Sequence, residues 1–424
     1  MARQKQAMRK EGTDQSGRRD VPPGYKRTEV GVIPEDWGTP RIDKHANIFT
    51  GSKDTQDKKE GGSYPFFVRS QQVERINSYS YDGEAILTAG DGVGTGKVFH
   101  YINGRFDVHQ RVYIIADFSK QLDGKYFFYQ FSHNFHSRII SMTAKSSVDS
   151  VRMETIAGMP IPLPKLKEQH AIAAALSDAD ALIDGLDRLI AKKRAIKQAA
   201  MQQLLTGQTR LPGFEGEWTE LSMSRHAILK ARIGWQGLRT DEYLSSGGHY
   251  LITGTDFENG GINWSGCYFV DQWRYAQDKN IQLSAGDILL TKDGTIGKVG
   301  YVNTLPGPAT LNSGVYVIRP VGEAFDPKFM FYLLASSIFE DFLKKLQAGS
   351  TISHLYQKDF AGFSFYAPSI DEQRAIAAVL SDMDAEIQAL EHRRDKARQI
   401  KQGMMQQLLT GRVRLVNQGD VPNE

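Results

Sequence analysis

An internal repeat constrains the fold of this 424-residue chain more than any other feature. Residues 166–207 and 370–411 match at a constant offset of 204 residues, from a shared Glu-Gln pair near the start to LLTG at the end. The segments before them share only a few anchors, such as Pro164 and Pro368. Because self-similarity at a fixed period indicates a duplicated architecture, each half is interpreted as a variable domain followed by a nearly constant segment.

The constant segment is predicted to be a long helix in both copies. Its apolar residues recur at alternating spacings of three and four, which predicts the heptad seam of a coiled coil. Ser369 and Glu372 have the spacing of a capping box, and Gly207 and Gly411 stand where left-handed C-terminal caps are expected. The predicted seam residues are Ile172, Leu176, Ile183, Leu186, Ile190, Ile376, Leu380, Met383, Ile387, Leu390, Met404 and Leu408.

A lone helix with this stripe would leave it in water, so the two copies are expected to pack against each other. At about 1.5 Å per residue, the helix from Glu168 to Leu205 would be roughly 57 Å long. We expect an antiparallel pair with one variable domain at each end of a rod. A parallel pair, with both domains at one end, is the alternative. Lys193 and Arg394 fall on the stripe, and a register-setting role is a hypothesis for them.

The repeat divides the chain into six predicted segments. They are a disordered basic arm (1–24), the first variable domain (25–164), the first spacer helix (165–207), the second variable domain (208–368), the second spacer helix (369–411) and a tail (412–424). The predicted fold class is α+β, with two mixed α/β domains joined by two long antiparallel coiled-coil helices. Because the sequence around Trp37 resembles the linker around Trp218, we interpret the chain as a pseudo-twofold, circularly permuted repeat whose ends meet.

Composition excludes several classes of protein. The single cysteine, Cys267, excludes an internal disulfide framework and a cluster of cysteine metal ligands. No apolar run approaches the roughly 20 residues that span a bilayer, and no secretory signal is recognised, so a cytoplasmic protein without a membrane span is expected. A net charge of +3 does not by itself indicate nucleic-acid binding, but it allows local basic patches.

The stretch LTAGDGVGTGKV at 87–98 looks like a phosphate-binding loop but fails its requirements. Asp91 stands where the first glycine must be, and Val98 follows the lysine in place of Ser or Thr. A shorter version, LTKDGTIGKVGY, occurs at 290–301. Both are predicted to be a strand, a glycine-rich turn and a strand, with Lys97 and Lys298 as candidate DNA phosphate contacts. Because a shared motif cannot encode two specificities, maintaining the fold is the favoured role of the turn.

The order of these elements resembles the DNA-specificity subunits of type I restriction–modification enzymes. Two unlike domains, two like helices with LLTGxxRL endings and the DGxxGKV motif carry the resemblance, over about residues 25–416. It implies that each variable domain is a target-recognition domain for one half of a split double-stranded DNA sequence, and that the helices set the gap between the halves.

The resemblance also implies which chemistry belongs to partners. This chain would bind no cofactor and hold no catalytic residues. Two methyltransferase subunits would methylate adenine with S-adenosylmethionine, and up to two restriction and motor subunits would use ATP and magnesium. The sequence contains no Asn-Pro-Pro-Tyr or Asp-Pro-Pro-Tyr loop. His133 and His136, the nearest metal-ligand pair, have no matched third ligand and are interpreted as surface or packing residues.

Base-reading residues are expected among polar side chains that differ between the domains, because Arg can bond guanine and Gln adenine in the major groove. Because the domains differ, the target is predicted to be asymmetric. Candidates in the first domain are Arg69, Gln71, Gln72, Arg105, His109, Gln110 and Arg111. Candidates in the second are Lys230, Arg232, Trp235, Gln236, Arg239, Thr253, Thr255 and Asn312. For each one alone, a solvated surface residue is an equally good interpretation.

A second shared element precedes the helices. The segment KSSV at 145–148 matches GSTI at 349–352, which makes Lys145, Ser146, Ser350 and Thr351 candidate phosphate contacts. Small hydroxyl residues suit helix capping equally well.

Two other functions stay open at this point. One is a non-catalytic protein-binding scaffold, in which the helices only space two recognition domains. The other is an autonomous nuclease and methylase, against which the missing catalytic loops argue.

Overall fold

The computed structural model describes residues 21–142, 150–347 and 354–415. They form two compact units. The first comprises the described residues up to Gly185 together with those from Arg393 onward, and the second comprises Leu186–His392. Each unit therefore contains one variable domain and half of each long helix. Both combine sheets with packed helices, which confirms the predicted α+β class with two domains.

The first variable domain is built on one six-stranded sheet. Its strands and helices are β1 (Tyr25–Thr28), β2 (Gly31–Pro34), β3 (Asn47–Thr50), β4 (Tyr64–Phe67), β5 (Glu74–Ile76), β6 (Tyr81–Ala89), β7 (Phe99–Val108), β8 (Val112–Ala116), α1 (Gly124–Met142) and α2 (Met153–Ala157). The strand order is β3-β8-β6-β7-β4-β5, and β1 pairs separately with β2. Strands β4 and β7 run parallel, whereas the other neighbours in the sheet run antiparallel.

The second variable domain divides its strands among smaller sheets. Its elements are β9 (Thr219–Ser222), α4 (Met223–His226), β10 (Ala227–Ala231), β11 (His249–Ile252), β12 (Phe257–Glu258), β13 (Gly261–Ile262), β14 (Tyr268–Val270), α5 (Gln272–Ala276), β15 (Ile288–Thr291), β16 (Val299–Tyr301), β17 (Ala309–Leu311), β18 (Val315–Pro320), α6 (Pro327–Leu334), α7 (Ser337–Gln347), α8 (Gln357–Phe360) and β19 (Ser364–Ala367). The sheets are β10-β18-β15-β16, β14-β11-β17, β12-β13 and β19-β9. Here β11 and β17 form the parallel pair.

The central strands of both domains are buried on both faces. In β6, Ile86 lies in the core beneath α1, whereas Ala85 and Leu87 lie in a second core on the opposite face. In β15, Leu290 and Leu289 divide between two cores in the same way. Successive side chains of a strand point to opposite faces, so a strand covered on both sides needs a continuous apolar run. AILTA and DILLT provide these runs.

The two constant segments form long helices, α3 (Leu166–Leu204) and α9 (Ile370–Leu408). Gly207 and Gly411 follow them with φ angles of 72° and 67°, so both predicted left-handed caps are present. The predicted capping box of α9 is only half right. Ser369 accepts from the Glu372 N–H at 3.4 Å. The Glu372 carboxylate does not return the bond, because the guanidinium of Arg210 engages it instead.

Within each unit, the segments of α3 and α9 run antiparallel. In the second unit, Lys193 pairs with Glu386 at 2.7 Å and Lys197 with Asp384 at 2.5 Å. Residue numbers along α3 therefore rise where those along the facing α9 fall. In the first unit, Leu408 shares a core with Ile172 and Leu176. These contacts exclude the parallel alternative. Lys193, which lies on the apolar stripe, gains an acidic partner on the facing helix.

Most of the predicted seam residues are shielded from solvent. Buried members are Ile172, Leu176, Ile183, Leu186, Ile190, Ile376, Leu380, Ile387 and Leu408. Half-buried members are Met383, Leu390 and Met404. Ile400, which continues the same periodic pattern in α9, is 53% exposed and faces away from the seam. An ideal helix drifts relative to a seven-residue repeat, which explains why a periodic position can leave the interface.

Each unit contains a buried glutamate that is bonded by an arginine from the other copy of the repeat. We call this pair the carboxylate clamp. In the first unit, Arg414 donates to Glu168 at 2.8 Å and to Asp36 at 2.9 Å, and Trp37 Nε1–H donates to Glu168 at 3.1 Å. In the second unit, Arg210 donates to Glu372 at 3.0 Å. Each arginine comes from an LLTGxxRL ending, and each glutamate opens the other copy of the helix. The segment around Trp37 therefore meets the end of α9, as the predicted permuted repeat requires.

Candidate nucleic-acid interface

The glycine-rich turn of the first domain connects β6 to β7 and is packed between two neighbouring segments. The His109 N–H donates to the Phe67 carbonyl at 2.9 Å, which joins the ends of β7 and β4. The Gly90 N–H donates to the Arg111 carbonyl, and the Val151 N–H donates to the Gly90 carbonyl, both at 2.8 Å. These bonds form a backbone frame that surrounds the turn.

The second domain repeats this frame around its own turn. The Asn312 N–H donates to the Ile252 carbonyl at 2.9 Å, the Lys292 N–H to the Gly314 carbonyl at 2.9 Å, and the Leu355 N–H to the Lys292 carbonyl at 2.8 Å. The parallel strand pairs also correspond. Phe67 is the register partner of Val108 in the first domain, and Ile252 is the register partner of Leu311 in the second. The bonds thus give a residue-by-residue correspondence between two domains of unlike sequence.

Part of the backbone of the first turn is engaged in hydrogen bonds within the turn itself. The Thr95 N–H donates to the Gly92 carbonyl at 3.0 Å and the Val98 N–H to the Gly94 carbonyl at 2.9 Å. A Cβ atom on Gly94 would lie 2.5 Å from the carbonyl oxygen of Arg69. A phosphate loop instead leaves its N–H groups free for the ligand. The geometry therefore supports the fold-maintaining interpretation of this turn.

The second turn has the same property. The Gly297 N–H donates to the Thr291 carbonyl at 3.0 Å, and the Lys298 N–H to the Thr291 hydroxyl at 2.9 Å. Gly297 has a φ of 90°, and a Cβ atom there would lie 2.6 Å from Leu343. The side chains of Lys97 and Lys298 are exposed in both domains, so their predicted phosphate contacts stay open.

Asp91 draws two predicted base-reading residues together. It accepts from Arg69 Nη1 at 2.8 Å, and its other oxygen lies 3.7 Å from Arg111 Nε. The arginine side chains are 45% and 65% exposed, whereas that of Asp91 is 25% exposed. Ion pairs this exposed contribute only about 0–1 kcal/mol to stability, so the consequence of the arrangement is orientation of the guanidinium groups.

His109 and Gln110 lie beside this cluster. The His109 side chain is buried, its Nδ1 accepts from the Arg111 N–H at 3.0 Å, and its Nε2 lies 3.8 Å from Asp54. Burial, and then the positive charge of Arg69, lower the pKa of His109 below its ordinary value, which favours the neutral ring that this bond requires. Gln110 donates to Asp54 at 3.2 Å. His109 therefore supports the loop from within, whereas Gln110 is exposed.

The remaining candidates of the first domain lie apart from Asp91. Arg105 donates to Asp82 at 2.8 Å and lies over the ring of Tyr79 at 5.0 Å. Gln71 contacts the Phe99 carbonyl at 3.5 Å, and Gln72 is exposed. Their contacts do not join them to the arginine pair.

Two candidates of the second domain are not presented to solvent. Arg232 is 2% exposed and donates to the Leu311 carbonyl at 2.8 Å and to Thr310 at 3.3 Å. Burial, and then the charge of Arg274, lower the pKa of its guanidinium. Gln236 is 5% exposed. A polar residue type in a variable loop predicts a surface position, but both side chains here are buried.

The exposed candidates of the second domain surround this loop. Lys230, Trp235 and Arg239 are exposed, Trp235 to 76%. An exposed tryptophan offers an aromatic face on which bases can stack. This part of the prediction stays a prediction.

A second polar cluster lies at the end of β11. The Thr253 hydroxyl bonds Asp256 at 2.9 Å and Thr255 at 2.7 Å, and Asn312 accepts from the Gly314 N–H at 3.0 Å. Thr253 is buried and Thr255 is exposed. Only Thr255 of the threonine pair therefore presents its side chain to solvent.

Comparison with known proteins decides the family of this chain. A family model described as the type I restriction modification DNA specificity domain matches residues 34–193 and 238–400, which is more than half of the chain. The chain belongs to this family. The resemblance inferred from the repeat is confirmed.

Relatives agree with this membership, and a solved structure shares the fold. The type I restriction enzyme MjaVIII specificity subunit of Methanocaldococcus jannaschii is 25% identical over 91% of this chain and 95% of its own length. The EcoDI specificity subunit of Escherichia coli is 22% identical over 85% and 84%. The S subunit from M. genitalium has the same fold, with a TM-score of 0.62 at 16% identity over 88% of this chain and 96% of that chain.

The specificity-domain frame contains residues that reasoning from the sequence missed. Asp91 and Asp293 occupy corresponding positions, facing Ser150 and His354 respectively. In the second domain the carboxylate of Asp293 engages His354. The DGxxGKV motif contains the signal, because both copies begin with this aspartate. Lys145, Ser146, Ser350 and Thr351 lie outside the described residues.

The described part of the chain holds neither a metal-ion site nor a membrane-spanning helix. It contains no group of three or more His, Cys, Asp or Glu side chains placed to hold a metal ion. None of its helices is both long enough and apolar enough to cross a membrane. His133 is half-buried, and burial lowers the pKa of its ring.

Proposed function

We propose that this chain directs a type I restriction–modification complex to a split, asymmetric DNA sequence, with each variable domain reading one half. The observation that carries the proposal is the shared backbone frame with unlike side chains. Where the first domain has Arg69 and Arg111, the second has Gly254 and Gly314. A common frame can position both domains on DNA in the same way, while the side chains it presents differ.

The chemistry in this proposal belongs to partner subunits. The chain itself acts without a catalytic residue or a cofactor, as its membership among specificity subunits supports. Methyl transfer from S-adenosylmethionine to adenine is assigned to two methyltransferase subunits. ATP-driven translocation and magnesium-dependent cleavage are assigned to up to two restriction and motor subunits. The complex is proposed to act in the cytoplasm.

The helices are proposed to fix the gap between the half-sites and to dock the methyltransferase subunits. Each helix has 39 residues, so each is roughly 58 Å long at about 1.5 Å per residue. That exceeds one turn of DNA, about 34–36 Å. On α3, Leu189 and Ile196 are 38% and 44% exposed, and they lie seven residues apart within the second unit. This spacing suits a partner helix that packs along α3.

Replacing Leu189 with glutamate is expected to reduce co-purification of the methyltransferase subunit by roughly tenfold or more, because it places a charge where an apolar contact forms. Gln198→Glu is the control, since Gln198 is exposed on the same helix away from this stripe. Co-expression followed by size-exclusion chromatography measures the effect. Equal recovery of both variants would remove this stripe from the proposed docking surface.

The complex of this chain with its methyltransferase subunit is expected to bind DNA with an affinity that falls steeply with salt. A protein that contacts six to ten phosphates loses about 10³–10⁵ in affinity between 50 and 200 mM salt. Mapping adenine methylation across the host chromosome is expected to give one split motif with two different halves. Binding that does not depend on salt, without a methylated motif, would favour the protein-binding scaffold. A palindromic motif would contradict the asymmetry.

A further inference from the structure

We propose that Arg69 and Arg111, oriented by Asp91, read guanine in the half-site of the first variable domain. This inference rests on the proposed function, because it names the base that one domain recognises. It makes Asp91 a positioning residue and the two arginines specificity-determining residues.

The geometry leaves a guanidinium edge of each arginine available. Arg69 uses Nη1 toward Asp91, and Arg111 approaches Asp91 through Nε. Within the described part of the chain, neither side chain has a second acidic partner. Guanine presents two acceptors, O6 and N7, in the major groove, and a planar guanidinium edge bonds both at once. Arg69 is thus hydrogen-bonded at one edge, Arg111 lies within ion-pair distance of the same carboxylate, and both side chains are exposed.

The surroundings hold this pair in place. The Arg111 backbone is bonded on both sides, since its N–H donates to His109 Nδ1 at 3.0 Å and its carbonyl accepts from Gly90 at 2.8 Å. Arg69 follows β4 by two residues, and its carbonyl lies against the tight turn at Gly94. A reading residue gains discrimination when the structure fixes its direction before binding.

The charge balance favours a base edge over a phosphate. Asp91 places a carboxylate between two cations, which reduces the net charge of the cluster to about one positive unit. Each phosphate contact neutralises a backbone charge with a Lys or Arg, so a cluster whose charge a carboxylate already partly neutralises gains less from phosphates. A carboxylate that fixes guanidinium groups suits a hydrogen-bonded contact with defined geometry.

The second domain lacks this reader. The backbone frame places Gly254 and Gly314 at the positions of Arg69 and Arg111. The carboxylate of Asp293, which corresponds to Asp91, pairs with His354. A glycine presents no side chain to a base edge. This arginine pair is therefore assigned to the half-site of the first domain only.

The test compares Arg69→Gln and Arg111→Gln with the unmodified chain, each in complex with the methyltransferase subunit. Arg41→Gln is the control, since it removes one positive charge from an exposed ion pair with Asp43 in the same domain. Methylation mapping and competition binding with duplexes that carry guanine or adenine at the assigned position provide two readouts. Should a glutamine variant fail to fold, lysine at the same position keeps the charge and removes the planar fork.

Loss of either arginine is expected to reduce discrimination for guanine by roughly 5- to 150-fold at one position. The other half-site, the gap and the Arg41→Gln complex are expected to be unchanged. A retained guanine requirement, with weaker binding to all sequences and a salt dependence lower by about one phosphate, would assign the arginines to phosphates and overturn the inference.

The two levels of the proposal fail differently. A split motif without a G·C pair in the half that the first domain reads overturns the guanine assignment and leaves the proposed function intact. An unmodified, well-folded complex that methylates no split motif overturns both.

Discussion

Replacing Arg414 with alanine is expected to lower the free energy of unfolding of the first unit by about 3–5 kcal/mol. The reason is Glu168, whose side chain is 2% exposed and which receives two bonds from Arg414. Without the arginine, this carboxylate keeps the Trp37 bond at 3.1 Å but has lost its counter-charge in a site that water does not reach. Calorimetry of the full chain is expected to show a fall of roughly 10 °C in the Tm of that unit.

The controls separate charge burial from local packing. Arg412→Ala changes the same residue type at an exposed position two residues away and is expected to stay within about 0.5 kcal/mol. The double variant Arg414→Met with Glu168→Gln is expected to recover part of the loss, because no unpaired charge remains buried. Arg210→Ala repeats the experiment in the second unit, where Glu372 is fully buried. Equal stability of Arg414→Ala and Arg412→Ala would show that the clamp does not stabilise the fold.

Substituting alanine for Gly411 is expected to destabilise the first unit by about 2–4 kcal/mol. Two effects add. The residue has a φ of 67°, a conformation that costs a side-chain-bearing residue about 1–2 kcal/mol. The new Cβ atom would also lie 2.4 Å from Cγ of Pro34 and 3.1 Å from the Trp37 ring, so the junction between the two segments must move apart.

Other glycines of the chain provide graded controls. Gly207→Ala has the same backbone strain, with a φ of 72°, but its Cβ atom would lie 3.2 Å from the Trp218 ring, so a smaller loss is expected. Gly403→Ala lies inside α9 with open space around the new atom and is expected to stabilise by about 0.5–1 kcal/mol. Urea denaturation of the three variants measures the order. A loss at Gly403 as large as that at Gly411 would contradict the argument from φ and close contact.

A second group of contacts shows how completely the duplication was retained. Tyr332 donates to Asp384 at 2.8 Å, and Lys197 pairs with the same carboxylate and lies 5.3 Å from the ring centre. Tyr129, Asp180 and Lys401 make the same three contacts in the first unit. In each unit the lysine comes from the other copy of the repeat. A sequence repeat reveals that these residues correspond, but their assembly into a network needs the packed helices.

The sequence by itself determined the repeat, the two long helices, their glycine caps and the family, because these depend on local periodicity and on the backbone freedom of glycine. Only the tertiary structure decided which polar residues face solvent. Arg232 and Gln236 are polar residue types expected at the surface but are buried. The Glu372 carboxylate bonds Arg210 and does not complete the predicted capping box. Burial and pairing depend on neighbours distant in sequence. For the same reason the Asp91 cluster emerged only once β4, the turn and the start of β8 had been brought together.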